Sequence, residues 1–187
     1  GLSGNRSMHY FEYKDNALAC EGVSLEAIAE SVGTPVYVYS QATLARHVRV
    51  LDEAFAEVPH RVCYAVKANS NLTLLRRFVE WGTGFEVVSG GELFRVLQAG
   101  ASPDSVIVSG VGKTREEIRY ALEVGVLFLS VESQPELELI SEVAVETGCA
   151  ARVVFRINPN VDPRTHPYIS TGLERNKFGI SLTDAAS

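Results

Sequence analysis

From residue 61 onward, short apolar runs alternate with segments whose apolar residues recur at helical spacing, with a period of about twenty-two residues. The apolar runs are VCYAVKA (62–68), GFEVVS (84–89), SVIVSG (105–110), LFLSVE (127–132) and ARVVFRIN (151–158). Each is rich in Val, Ile or Phe and too short for a helix, so each predicts a strand. KFGI (177–180) could add a sixth. Between them, NLTLLRRFVEW, GGELFRVLQA, REEIRYALEV and QPELELISEVAVET predict helices. Three helix starts carry a hydroxyl and a carboxylate at capping-box spacing: Ser89 with Glu92, Thr114 with Glu117, and Ser133 with Glu136. Gly100, Gly125 and Gly148 stand where C-terminal caps belong.

Strand–helix alternation implies parallel strands joined by right-handed crossovers, in a barrel or a doubly wound open sheet. Strand faces favour the barrel. In the first run Cys63, Ala65 and Lys67 share one face; in the last, Val154, Arg156 and Asn158 do. Glu86 opposes Phe85 and Val87, and Ser130 and Glu132 oppose Leu129 and Val131. One face is bulky and suits packing under helices. The other brings polar groups toward the C-terminal mouth, where a β/α barrel builds its active site. A closed barrel takes about eight strands, so the chain reads as a partial barrel, a fragment with an open inner face and an exposed edge strand.

The preceding segment differs in kind. MHYFEYKDNALACEG and TPVYVYS read as strands around a short helix, SLEAIAESVG (24–33), and QATLARHVRVLDEAFAEV (41–58) reads as an amphipathic helix. The expected division is therefore a cloning or processing remnant at 1–7, an N-terminal segment at 8–40 lending strands to another sheet, and the barrel at 41–187.

Composition narrows the function. The 187 residues are 46% hydrophobic, enough for one domain with a proper core. No apolar run is long enough to cross a bilayer, and the first residues lack a secretory signal pattern. A net charge of −6 without a basic cluster argues against nucleic acid and anionic membranes as partners. Cys20, Cys63 and Cys149 read as reduced thiols of a cytoplasmic protein, not as a disulfide framework or a metal site. SGVGKT (109–114) resembles the end of a phosphate-binding loop, but Ile107 stands where its first glycine belongs.

Lys67 lies near the end of a run that reads as a buried strand, in CYAVKANSN (63–71). Burial disfavours the ammonium form, and a free amine can form a Schiff base with an aldehyde such as pyridoxal phosphate. The plainer alternatives are an ion pair with Glu86 or a stem that reaches the barrel mouth.

YAVKAN resembles the lysine motif of the fold-type III pyridoxal-phosphate decarboxylases. EVVSGGEL (86–93), SGVGKT, INPNVDPRTHPYISTG (157–172) and NKFGIS (176–181) resemble blocks of one branch, the diaminopimelate decarboxylases. FEYKDNAL and GTPVYVYS resemble that branch's N-terminal segment, so the likeness runs from about Met8 to the end. It implies an alanine-racemase-like β/α barrel, followed by a C-terminal β-domain that takes strands from the N-terminal segment. It implies decarboxylation of meso-diaminopimelate to L-lysine in a cytoplasmic homodimer. The small amino-acid substrate would come to a site completed by sequence beyond residue 187, and the fragment alone would be inactive.

Residue by residue, Lys67 matches the lysine that holds pyridoxal phosphate. Arg156 matches an arginine near the cofactor, the alternative being an ion pair with Glu86 or Glu132. Glu92 matches a glutamate close to the active site, the alternative being its capping box. Glu86 stands where the family usually has aspartate, a departure that leaves its partner open. His166, Tyr168, Ser170 and Thr171 lie in a long loop after the fifth run, a candidate substrate loop. Lys177 would point inward toward Glu132 or Glu86. Rival readings are another decarboxylase of the same fold, acting on ornithine, arginine or carboxynorspermidine, and a non-catalytic relative that binds a partner protein.

Overall fold

The computed structural model describes residues 8–158 and 179–181, which fall into two units, Gly1–Val62 and Cys63–Ser187. In the first unit, β1 (Phe11–Lys14) pairs antiparallel with β2 (Ala17–Cys20), which pairs antiparallel with β3 (Val23–Ser24). Asp15 and Asn16 form the two-residue turn between β1 and β2 with φ of 48° and 62°. Asp and Asn tolerate this left-handed region, and two such residues in a row match the twist of the flanking strands. Helix α1 (Leu25–Val32) starts at Ser24, whose hydroxyl accepts from the Glu26 and Ala27 N–H groups. Helix α2 (Gln41–Ala54) starts at Ser40. The Glu21 carboxylate accepts from Ser40 Oγ at 2.6 Å and from the Ala42 N–H at 2.8 Å, tying β2's end to α2.

One expected strand of this unit finds no partner among the described residues, and one expected helix end differs. TPVYVYS (34–40) joins no ladder among the described residues, and Tyr37 is 90% exposed. Alternating apolar residues suit a strand, but a strand also needs a hydrogen-bonding neighbour, and the described residues provide none. Helix α2 also stops at Ala54, not 58, because Phe55 and Val58 close tighter turns onto Asp52 and Phe55 carbonyls before Pro59.

The second unit contains β4 (Cys63–Ala65), α3 (Leu72–Glu80), β5 (Gly84–Val87), α4 (Gly90–Gln98), β6 (Val106–Val108) and α5 (Arg115–Val124). It continues through β7 (Phe128–Val131), α6 (Gln134–Thr147), β8 (Val153–Phe155), β9 (Ile157–Asn158) and β10 (Ile180–Ser181). Strands β4 to β8 form one sheet in chain order, every pair parallel, and β10 pairs parallel with β9. Sequential order without a reversal is the arrangement of a β/α barrel; a doubly wound sheet reverses direction at a switch point. The open-sheet alternative is thereby set aside, and KFGI contributes its last residue to a paired strand.

Register explains the core. Tyr64, Phe85 and Val106 stand side by side, as do Val87, Val108, Leu129 and Val153. Phe85, Val87 and Val106 are fully buried, together with Leu75 of α3, Val96 of α4 and Ile118 of α5. This face packs under the helices, and burying each large side chain contributes about 1.5–3 kcal/mol. Tyr64 stacks on Phe78 with ring centroids 3.9 Å apart, and Trp81 meets Phe78 edge-on. The opposite face carries Ala65, Glu86 and Ile107 in one row and Ser130 beside Val154 in another. On the sheet's last strand Phe155 is 52% exposed.

The helix starts depart from expectation in a regular way. Only Thr114 and Glu117 complete a reciprocal box. At α4 Ser89 accepts from the Glu92 N–H, but the Glu92 carboxylate reaches one residue further back, to the Val88 N–H at 2.8 Å. At α6 Ser133 makes no cap bond, and Glu136 takes the Glu132 N–H at 2.7 Å. In both cases the carboxylate holds the end of the preceding strand instead of the cap residue.

Candidate active site

The strands' C-terminal ends bring the polar residues of the inner face together. Lys67 lies in a short 3₁₀ turn, Val66–Ala68, directly after β4. The run read as a strand over 62–68 therefore ends at Ala65, and Lys67 is exposed, not buried. The Tyr64 hydroxyl donates to the Asn69 carbonyl at 3.1 Å and the Asn69 N–H bonds Val66, which bends the chain out of the sheet. Fully buried Val66 anchors the turn from below. Lys67 makes no ion pair or hydrogen bond with any described residue. The alternative of an ion pair with Glu86 is not what the described residues show; Glu86 accepts from the Ser109 hydroxyl at 2.5 Å.

Arg156 follows β8, and its guanidinium donates to both Glu132 oxygens, at 3.1 and 3.4 Å. Of the two partners weighed for it, the structure places Glu132. That carboxylate has 3% side-chain exposure and also accepts from the Gly110 and Gly179 N–H groups at 3.3 Å. Glu92 secures the β5–α4 corner through Val88, as described. Glu117 spans two corners, accepting from Gly90 N–H at 2.8 Å and Thr114 N–H at 3.0 Å. His166, Tyr168, Ser170, Thr171 and Lys177 lie outside the described residues.

The buried lysine of this rim is Lys113, which the sequence reading met only inside SGVGKT, as a failed phosphate-loop match and as one of the blocks that resemble the family, and gave no role of its own. Its side chain is 2% exposed and its ammonium lies 2.6 Å from Glu136. Motif spacing alone carried no signal for it; the usable clue was a lysine three residues after an apolar run and two residues short of a helix.

The hydrogen bonds from Thr114 first, then Gly90, hold the Glu117 carboxyl below its ordinary range. A depressed carboxyl stabilises the fold above its unfolded pKa, and this contribution is lost as pH falls through the folded pKa. Glu117→Gln should therefore lower the urea midpoint at neutral pH, with the gap to wild type closing as the pH falls below the ordinary carboxylate range. Equal gaps at neutral and at acid pH would remove the carboxylate from this role.

Among the described residues no helix is long and apolar enough to cross a membrane, and no cluster of side chains could hold a metal. None of the three cysteines is in a disulfide among the described residues. Burial, then the charge of Glu21, pushes the Cys20 thiol up.

Comparison with known proteins bears on this arrangement. A family model described as "Pyridoxal-dependent decarboxylase, pyridoxal binding domain" matches residues 41–187. The diaminopimelate decarboxylase of Pseudomonas aeruginosa is 54% identical over 178 residues, covering 95% of this chain and 43% of that protein. That of Vibrio cholerae is 52% identical over 180 residues, covering 96% and 43%. The chain thus spans less than half the length of these curated relatives. Among solved structures, the Helicobacter pylori diaminopimelate decarboxylase complexed with L-lysine matches with TM-score 0.81 at 43% identity, covering 86% of this chain and 41% of that one. The arginine decarboxylase of Paramecium bursaria Chlorella virus matches less well, with TM-score 0.58 at 26% identity over 74% of this chain and 36% of that one.

Proposed function

Because the chain belongs to the pyridoxal-dependent decarboxylases, we propose that it is the N-terminal part of an enzyme that converts meso-diaminopimelate to L-lysine and carbon dioxide. The observation that carries this is the amine of Lys67, exposed and unpartnered among the described residues, at the C-terminal end of β4. The residues fit pyridoxal phosphate in kind: an accessible amine after β4, with an anchored cation after β8 and carboxylates on strands of the same parallel sheet. When bound, this cofactor supplies an aldehyde for an amine and a ring that accepts the electron pair left by a departing carboxylate.

Lys67 would supply the amine that holds the cofactor. Arg156, braced by Glu132, offers a fixed cation to an anionic group of cofactor or substrate. Glu92 keeps the β5–α4 corner in place beside the site, and Glu86 presents its carboxylate, with Ser109, from the middle of the inner face. His166, Tyr168, Ser170 and Thr171 remain proposed substrate-loop residues. The complete protein is read as a homodimer acting on a small amino acid in the cytoplasm, as the resemblance implies.

The test is turnover by the complete protein loaded with pyridoxal phosphate, followed as carbon dioxide release. The kcat/KM for meso-diaminopimelate should exceed that for ornithine by about 10⁴-fold, the scale on which a site built to hydrogen-bond a substrate group rejects an analogue that lacks it. Preference for ornithine would move the assignment to the neighbouring decarboxylases. Failure to take up cofactor would favour the non-catalytic binding protein.

A further inference from the structure

Two buried charged residues at the rim, Lys113 and Glu136, have no part in the chemistry assigned above. The Lys113 ammonium donates to the Gly110 carbonyl at 2.7 Å, the Ser130 carbonyl at 2.6 Å and Glu136 Oε1 at 2.6 Å. A lysine ammonium has three N–H donors, so this geometry uses all of them and requires the charged form. The other Glu136 oxygen accepts from the Glu132 N–H at 2.7 Å. Glu132 in turn receives Arg156, Gly110 N–H and Gly179 N–H.

Two cations and two carboxylates therefore form one continuous network, Lys113–Glu136–Glu132–Arg156. Gly110 is gripped at both ends, its carbonyl by Lys113 and its N–H by Glu132. Its φ of +100° is a conformation in which a side chain would be strained. Buried ion pairs are weak contributors to stability compared with well-packed apolar residues of the same volume. What this network supplies is direction. The Glu132 carboxylate is constrained through its own backbone by Glu136, and Glu136 is oriented by Lys113.

We propose that Lys113 is a positioning residue: through Glu136 and Glu132 it fixes the guanidinium of Arg156 at the C-terminal rim, where that cation meets the anionic part of the cofactor or substrate. This rests on the role given to Arg156 in the proposed function. Lys113 itself touches neither substrate nor cofactor.

The test is a double-mutant cycle in the complete protein loaded with pyridoxal phosphate. Lys113→Met, Arg156→Met and the double variant are compared by the rate of cofactor release, followed by visible absorbance, and by KM and kcat for diaminopimelate. Lys113→Met should speed release about tenfold, and adding it to Arg156→Met should change release no further. Effects that multiply would overturn the positioning role while leaving Arg156 in the site. Wild-type release and kinetics in Arg156→Met would overturn the assignment of Arg156, and the proposal with it. If Lys113→Met does not fold, Glu136→Gln takes its place in the same cycle and is read the same way.

Discussion

Lys67→Ala in the complete protein is expected to lower kcat by roughly three orders of magnitude or more, the scale seen when a covalent catalytic group is removed. The same substitution should leave the cofactor-free protein as stable as wild type, to within about 0.5 kcal/mol. The two expectations come from one observation. Lys67 is exposed, outside any strand, and has no partner among the described residues, so its removal leaves no cavity and no orphaned charge. Borohydride reduction after incubation with pyridoxal phosphate, followed by peptide mass spectrometry, should label residue 67 in the wild type and lose that label in the variant. Activity within tenfold of wild type would end the case for Lys67. So would a label that persists on the same peptide.

The largest effect on stability is expected at Phe85. Its ring is fully buried on the helix-facing side of β5, with Tyr64 and Val106 beside it in register. Phe85→Ala removes the ring and leaves a cavity that flanking strands, fixed by their ladders, fill only in part. The cost should be about 3–5 kcal/mol. With a urea m-value of about 2 kcal/mol per molar, the midpoint should fall by roughly 2 M. Trp81, the sequence's one tryptophan, sits against Phe78 on the same side of the sheet and gives a fluorescence readout of that transition. A loss under about 1 kcal/mol would mean that the core relaxes far more than its packing implies.

The parts of this fold legible in the sequence were those governed by short-range periodicity. Alternation within six or seven residues separated Phe85 and Val87 from Glu86, and the register reproduces that separation across neighbouring strands. Apolar runs at a steady interval announced parallel β/α units, and the strand order agrees. What escaped depended on contacts remote in sequence. TPVYVYS has a strand's pattern, but strand formation is decided by a neighbour. The exposure of Lys67 follows from the turn made by Tyr64 and Asn69, which shortened a run that looked continuous. Lys113 is buried by Ser130 and Glu136, 17 and 23 residues away, and nothing in SGVGKT foretells them.

The rim bonds also have a direction in time. Gly90 waits for Glu117, 27 residues later; Gly110 for Glu132, 22 later; Lys113 for Glu136, 23 later. A ribosome adds about 5–20 residues per second, so each corner leaves the tunnel roughly one to five seconds before the carboxylate that secures it. During synthesis the newest corner of the rim is always unfinished, while the corner behind it has just been locked. A pause one unit downstream would therefore prolong the exposure of the preceding corner, and silent codon changes at 117, 132 or 136 could alter folding yield without altering a single contact in the finished protein.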